Sequence, residues 1–410
     1  MDGGTEQFGQ GRAAHGRIAD VEVLRAIAIG MVLVQHTAGP LVPWLPWLGG
    51  PFFSRFGCWS GVDLFLAVSG FVIGRSLLPT LPPPRERRAF FNTAMSFWVR
   101  RFWRLAPSAW LWLAIPLTLS IVFNRSGVFG SVEANVRCAL SALVGLANVH
   151  FAQTFLRAPG GSMLHYWSLS LEEQFYLVLP VLAFLAGKRL PFVLLAIVAA
   201  QITLKRIGAG ASVLLDVTRT DALALGVLLS MWSRTAGYGR LEPRFLGVWL
   251  VRLLLPAAFV LAFAYFSRID GEPSRYLVGG VALMASAIVW VASYDGDYLL
   301  PPGWLKRAAC WMGARSYGIY LIHVPVFFAT RELWFRLSPG MVQPGPHHVA
   351  ILLATALPTT AILAELNYRF VEKPLRRRGA RIAQRMLSRG AGATAEPAMA
   401  QPDVQTAPVQ

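Results

Sequence analysis

The chain has 410 residues, 55% of them hydrophobic and only 14% charged, with a mean hydropathy of +0.49. A soluble domain carries nearer a quarter charged residues, so an ordinary soluble fold is excluded and an all-α, polytopic membrane protein is indicated. The net charge of +17 would suit a nucleic-acid binder if the chain were soluble; in a membrane protein it reads as basic cytoplasmic loops, with no nucleic acid as partner.

Residues 1–17 form a polar N-terminal tail with no signal-peptide character. The stretch 17–40, RIADVEVLRAIAIGMVLVQHTAGP, is the first span and has no small-residue cleavage site, so it stays as an anchor. It carries Arg25 near its start and His36 deeper in, eleven residues apart. At about 100° per residue that is three turns plus roughly 20°, so both lie on one face, about 16 Å apart. Ionisable groups inside a membrane helix face a protein interior or a wet cavity, unless the Arg merely snorkels and the His is structural.

A Trp-rich loop suited to a membrane interface follows, then a second span at 61–78 containing GVDLFLAVSGFVIGR. Its Ser69-Gly70 pair reads first as close helix packing, and Asp63 near the outer end reads as solvated. A Pro- and Arg-rich loop leads through FWVRRFWRLAP to a third span at 105–123. Arg101 and Arg104, three apart, share a helical face; they serve as a positive-inside anchor or as a fork for phosphate. Further spans are expected at 166–186, 190–207, 214–232, 247–267, 276–294, 315–332 and 348–370, and residues 377–410 read as a disordered basic, then Ala/Pro/Gln-rich tail.

Segment 135–149 is short and only moderately apolar. If it spanned, the clusters Lys188/Arg189, Arg234/Arg240/Arg244, Lys306/Arg307 and 376–378 would all fall outside. If it does not, they fall inside together with Arg85/Arg87/Arg88 and Arg100/Arg101/Arg104, which gives ten spans, both termini cytoplasmic, and 135–149 external or re-entrant. No internal repeat is visible, which disfavours an inverted-repeat transporter. Cys58, Cys138 and Cys310 show neither metal spacing nor a disulfide pattern, so no metal is expected.

The span at 166 opens with HYWSLSLEEQFYLVLP, whose adjacent Glu172 and Glu173 sit in its outer half; packing explains them poorly, so at least one faces a polar cavity. Arg219 and Asp221 read as a structural pair. His323, in SYGIYLIHVPVF, reads as hydrogen-bonded to a neighbouring helix, and ELNYRFVEKPLRRR places Arg369 and Glu372 at the cytoplasmic boundary, near the level of Arg25.

Arg25-x10-His36, GVDLFLAVSGF, RFWR, WSLSLEEQFY, SYGIYLIHVPV and YRFVEKP, in this order over 18–376, resemble the membrane acyltransferase family 3 proteins, which include bacterial O-antigen, peptidoglycan, exopolysaccharide and macrolide O-acyltransferases. Each block is weak alone; the ordered set is specific. The resemblance implies a membrane acyltransferase domain that moves an acyl group, usually acetyl, from cytoplasmic acyl-CoA to a carbohydrate hydroxyl, with acyl-CoA as a substrate and no resident cofactor. It places the recurring acids of two blocks on Glu172 and Glu372. Some relatives carry an extracytoplasmic hydrolase-like domain; here that activity would need a separate partner protein.

Acyl transfer needs a base or a nucleophile, and positive charge near the developing oxyanion. His36 suits the first role because imidazole titrates near neutrality, and Glu172 or Glu372 could orient it or a cavity partner. Arg101 and Arg104 suit the CoA phosphates, Ser69 lies in the neighbouring family-like block as a further donor contact, and Arg25 bridges the two levels. The rival reading is a transporter or flippase of a lipid-linked sugar, with the charges lining its path.

Overall fold

The computed structural model describes residues 17–41, 56–154, 161–203, 217–267, 277–338 and 345–392. The N-terminal tail, the Trp-rich loop at 42–55 and the tail beyond 392 lie outside the described residues. Every regular element among those described is helical: α1 Ala19–His36, α2 Gly61–Leu77, α3 Arg87–Val122, α4 Val132–Leu143, α5 Ala147–Thr154, α6 Tyr166–Ala186, α7 Leu190–Thr203, α8 Asp221–Trp232, α9 Trp249–Phe266, α10 Leu277–Ala292, α11 Trp304–Ala314, α12 Ser316–Leu337, α13 Val349–Asn367 and α14 Lys373–Gly392. In an apolar medium this is the expected outcome, because a helix satisfies its backbone groups internally.

Among the described residues, six helical stretches are long and apolar enough to cross a membrane: Ala19–Gly39, Gly61–Thr80, Arg87–Val122, Tyr166–Thr203, Trp249–Phe266 and Val349–Ser388. The fourth, 38 residues long, joins two expected spans at Gly187, whose φ of +51° suits glycine and breaks α6 from α7. α8 and α10 are apolar but shorter, and α12 carries Arg331, Glu332 and Arg336 in its last turns. Each of the ten expected spans therefore falls on a helix. Segment 135–149 is split at Gly145, φ +71°, between α4 and α5. At 12 and 8 residues these helices are about 18 and 12 Å long, too short for a hydrocarbon core of about 30 Å.

Two segments differ from the sequence reading. The Arg-rich stretch before the third span is not a loop; α3 runs unbroken for 36 residues, from Arg87 to Val122. The stretch read as disordered from 377 is helical to 392. Leu375, Ile382 and the buried Gly379 and Ala383 recur at helical spacing among the arginines, and α14 packs onto α3. A Cβ on Gly379 would lie 2.4 Å from Trp103 Cβ, and the Arg378 guanidinium sits 5.0 Å over the Trp103 ring. The high arginine content hid a packed face.

α2 is the most enclosed of the long apolar helices, held between α1, α8 and α10. Its crossing with α8 is backbone on backbone. A Cβ on Gly70 would lie 2.1 Å from the Leu223 carbonyl oxygen, and one on Gly226 2.2 Å from that of Ala67. Beside this crossing, Arg219 meets Asp63 at 3.4 Å, both fully enclosed, and its guanidinium lies 5.0 Å from the Trp59 ring and 5.3 Å from that of Trp167. Asp63 is thus a buried ion-pair partner and not solvated, and Arg219 reaches it from just ahead of α8.

The start of α1 is clamped by the loop before α11. Asp295 accepts hydrogen bonds from the backbone N–H groups of Ala19 (2.8 Å) and Asp20 (3.3 Å), filling the role of a helix cap from a distant segment. Lys306 donates to Asp20 at 2.6 Å and also to Asp297. Burial opposes the Lys306 charge, but these two carboxylates outweigh it and raise its pKa.

Gly226→Ala should destabilise the protein strongly. The obstructing atoms belong to backbone, so the cost should meet or exceed the roughly 1–3 kcal/mol typical of overpacking. Gly280 on α10, with nothing within 4 Å of its would-be Cβ, is the control. Thermal unfolding in detergent should show a lowered Tm for Gly226→Ala alone; equal Tm values for the two variants would contradict the crossing geometry.

Candidate active site

α1 presents Arg25 and His36 to the same side of the bundle, toward α3, α6 and α12. The two groups meet different company. Toward the α1 start, Arg25 is 3.5 Å from Glu22. Its charge acts on Glu172, and it shares its surroundings with Arg101 and Arg104. The Arg101 guanidinium lies over Phe97 (5.5 Å) and Tyr176 (5.2 Å). The Tyr176 hydroxyl donates to Glu172, which also accepts from Ser69. Arg25, Arg101, Arg104, Glu172 and Ser69, named from sequence on four separate helices, are therefore one cluster.

Glu372 closes this cluster from the turn between α13 and α14. It is the last residue of a π-helical turn, Tyr368–Glu372, and accepts from Asn367 Nδ2 at 2.7 Å. Asn367 in turn holds Ser108 (2.9 Å) and accepts from Trp112 Nε1 (3.2 Å). Gly318 on α12 leaves room for the carboxylate, since a Cβ there would lie 2.9 Å from Glu372 Oε1. The Glu372 charge interacts with Arg104. Both carboxylates thus face guanidinium groups, and neither hydrogen-bonds His36 among the described residues. Arg369 binds Glu365 instead, as does Arg315.

His36 ends α1, where the chain passes into a π-helical turn, Thr37–Leu41. Such turns inside helices concentrate at functional sites, and the two among the described residues adjoin His36 and contain Glu372. His36 Nδ1 donates to the Val32 carbonyl at 2.9 Å. A carbonyl can only accept, so Nδ1 carries the proton and Nε2 presents a lone pair, the form a general base or nucleophile requires. The group that orients His36 is its own helix backbone.

Two further imidazoles surround it. The His323 ring is 4.9 Å from His36, edge to face, and the His165 ring is 5.4 Å from His323. The expectation that His323 bonds a neighbouring helix is not met: its Nδ1 donates to Ile319, four residues back on α12, at 3.1 Å. His165 was missed by the sequence reading. The available signal was its spacing, seven residues before Glu172, which is close to two helical turns and sets both on one side of α6. Between them, Ser168 and Tyr320 share a hydrogen bond of 2.7 Å, and the Tyr320 hydroxyl donates to the His165 carbonyl at 2.5 Å.

A polar seam thus follows α6 from His165 through Ser168 and Glu172 to Tyr176 and Arg101. It joins an imidazole group to a guanidinium group through an otherwise apolar core. The groove between α7, α8 and α10, lined by Leu195, Leu225, Trp232, Leu283 and Trp290, contains none of these residues. Among the described residues no three His, Cys, Asp or Glu side chains are placed to hold a metal ion.

Comparison with known proteins bears on this arrangement. The chain is 28% identical over 384 residues to the peptidoglycan O-acetyltransferase OatA of Listeria monocytogenes, covering 88% of this chain and 56% of that protein. It is 25% identical over 380 residues to the O-acetyltransferase OatA of Staphylococcus aureus, covering 87% and 57% respectively. It therefore spans little more than half the length of these relatives. No solved structure matches it. Residues 18–365 match the acyltransferase domain of acyltransferase family 3, and the seam from Arg101 to His36 lies wholly within them: the chain belongs to the acyltransferase 3 family of polytopic membrane proteins.

Proposed function

We propose that the protein is a membrane O-acetyltransferase that takes acetyl from cytoplasmic acetyl-CoA and delivers it to a hydroxyl of a carbohydrate or glycosylated acceptor. The seam described above carries this reading. Three guanidinium groups at one end suit the CoA phosphates, and a singly protonated imidazole with a free lone pair stands at the other. The names of the relatives support acetyl as the group and a wall polysaccharide as the class of acceptor.

In this reading Arg101 and Arg104 hold the CoA phosphates through forked hydrogen bonds, with Arg25 deeper in the same cluster. Glu172 and Glu372 keep these guanidinium groups in place, and Ser69 holds Glu172. His36 Nε2 takes the proton of the acceptor hydroxyl as its oxygen attacks the thioester carbon. The C–S bond breaks, and the proton passes to the departing thiolate, releasing CoA. The acceptor enters from the opposite end of the seam.

His36→Ala should lower acceptor-dependent release of CoA thiol by at least about 10²-fold in well-folded purified protein, the usual scale for a lost acid–base group. Normal turnover in that variant would sink the reading, and a transporter would release no CoA thiol at all. Arg25→Ala should be nearly as damaging, with partial activity in Arg25→Lys.

Arg104→Ala should raise the KM for acetyl-CoA on the order of tenfold or more, from the loss of a charge-assisted contact of about 1.5–3 kcal/mol. Arg104→Lys should recover part of it, and the acceptor KM should hold. An unchanged donor KM would reduce Arg104 to a helix anchor.

Lys306 clamps the start of α1, and the arginine-rich α14 packs on α3; we assign this basic side of the bundle, with both termini, to the cytoplasm. A reporter at the C-terminus should read as cytoplasmic, and a single cysteine at position 126 should react with an impermeant thiol reagent in intact spheroplasts. The opposite pair of results would invert the assignment.

A further inference from the structure

The backbone contact between α2 and α8 leaves the far side of α8 uncovered. Leu223, Gly226, Val227 and Ser230 form the side that rests on α2. Leu225, Leu228 and Trp232 lie about half a turn away around the helix. With Leu195 on α7 and Leu283 and Trp290 on α10 they line a groove of about 770 Å³. Leu225 and Leu228 are half-buried on its floor, while Leu195 and Leu283 are exposed on its walls, so the groove opens sideways, where lipid would lie.

Its few polar groups are already engaged. Ser286 donates to the Ala282 carbonyl, Thr235 to the Trp232 carbonyl and Trp290 Nε1 to the Tyr294 hydroxyl. The groove therefore presents hydrocarbon and offers little to a sugar or a nucleotide. From Leu225 to Thr235 it follows α8 for ten residues, about 15 Å, which is half a hydrocarbon core of about 30 Å. Its length is that of one leaflet.

One end of the groove is different. A Cβ on Gly279 would lie 2.7 Å from Ile202, so the start of α10 meets the end of α7, and the two run antiparallel. The end of α10 therefore stands beside the start of α7. The ends of α8 and α2 meet through Ser230 and Gly74, and Gly187, just ahead of α7, lies against Pro84 in the segment after α2. Lys188, Arg189 and Arg234 are at this end, all exposed. Trp232 and Trp290 flank the mouth, with Tyr238 stacked on Tyr294 at 4.6 Å behind them, as aromatic residues do at a membrane–water boundary. Of the carboxylates nearby, Glu242 is held by Arg244 and Tyr298, Asp295 by the start of α1 and Asp297 by Lys306, while Glu86 is exposed.

We propose that this groove is a binding site for an anionic phospholipid, with acyl chain along α8 and phosphate on Lys188, Arg189 and Arg234. Hydrocarbon walls of one leaflet's length and a basic rim at one end match that molecule at both of its parts. A second copy of the chain, packed here about a two-fold axis along the membrane normal, would instead set these like charges against each other.

The site is independent of the proposed reaction, so its test needs no turnover. The full chain in detergent would be titrated with phosphatidylglycerol or with phosphatidylcholine of the same acyl chains, and read by native mass spectrometry and by Tm. Wild type should hold phosphatidylglycerol at least about tenfold more tightly, with Tm rising as that lipid is added. The triple variant Lys188→Gln, Arg189→Gln, Arg234→Gln should bind both lipids alike. Should it fail to fold, Lys188→Gln alone should lose part of the preference. Ala287→Trp, which fills the groove from its exposed wall, should weaken both lipids. Arg377→Gln with Arg381→Gln, on the exposed side of α14, should leave the preference intact. Equal affinity for the two lipids in wild type overturns the site. So does a loss in the α14 variant as large as in the rim variant, undiminished binding to Ala287→Trp, or a dimer that Ala287→Trp dissociates.

Discussion

The crossing of α2 and α8 is the contact on which the arrangement depends. Lipid tails are as apolar as leucine, so membrane helices gain little by hiding apolar surface from lipid and instead need close, shape-matched contact. Gly70 and Gly226 supply it by letting each backbone rest on the carbonyls of the other helix. This sets the depth at which α2 lies in the bundle. Ser69, next to Gly70, then reaches Glu172 on α6, and Asp63, two turns earlier, meets Arg219. Ordinary side chains at the glycines would push α8 outward and separate both pairs.

Enclosing charge is the second constraint. An unpaired ion costs several kcal/mol or more away from water, so each charged group in the bundle must find a complement or lie on a wet path. Most do. Asp63 meets Arg219, Lys306 meets Asp20 and Asp297, and Glu332 meets Arg336 and the backbone N–H groups of residues 125 and 126. The cluster of Arg25, Arg101 and Arg104 is different in that it gathers three guanidinium groups around three carboxylates, Glu22, Glu172 and Glu372, within one set of helices. The imidazoles differ in another way: they carry no formal charge when neutral, so they can be buried at modest cost and still exchange a proton.

The apolar runs made the helices legible one at a time, and the spacing of Arg25 and His36 made a functional face legible on α1, since helical periodicity is local. What hid the rest was contact between distant segments. Glu172 is a carboxylate on an apolar helix, which suggested a partner for His36; only the rotation of α6 against α3 shows that it turns to the guanidinium groups. His323 and His165 each look like an ordinary structural histidine in sequence; only the fold sets His323 against His36 and His165 against His323. The arginine-rich stretch at 377–392 illustrates the same limit: composition indicated disorder, while a spaced set of small and apolar residues fits Trp103 and orders a helix.

The sequence by itself determined that the chain is an all-helical membrane protein, where its apolar helices lie, and, through an ordered set of blocks, which family it belongs to. These properties follow from hydropathy, helix length and residue order, which act along the chain. The tertiary structure alone decided which ionisable groups share an environment. It gathered Arg25, Arg101, Arg104, Glu172 and Glu372 at one level and His36, His165 and His323 at another, and it fixed the His36 proton on Nδ1 through the Val32 carbonyl. Proton position and electrostatic company depend on distances of a few ångströms between helices, and those are set by where small residues let the backbones touch.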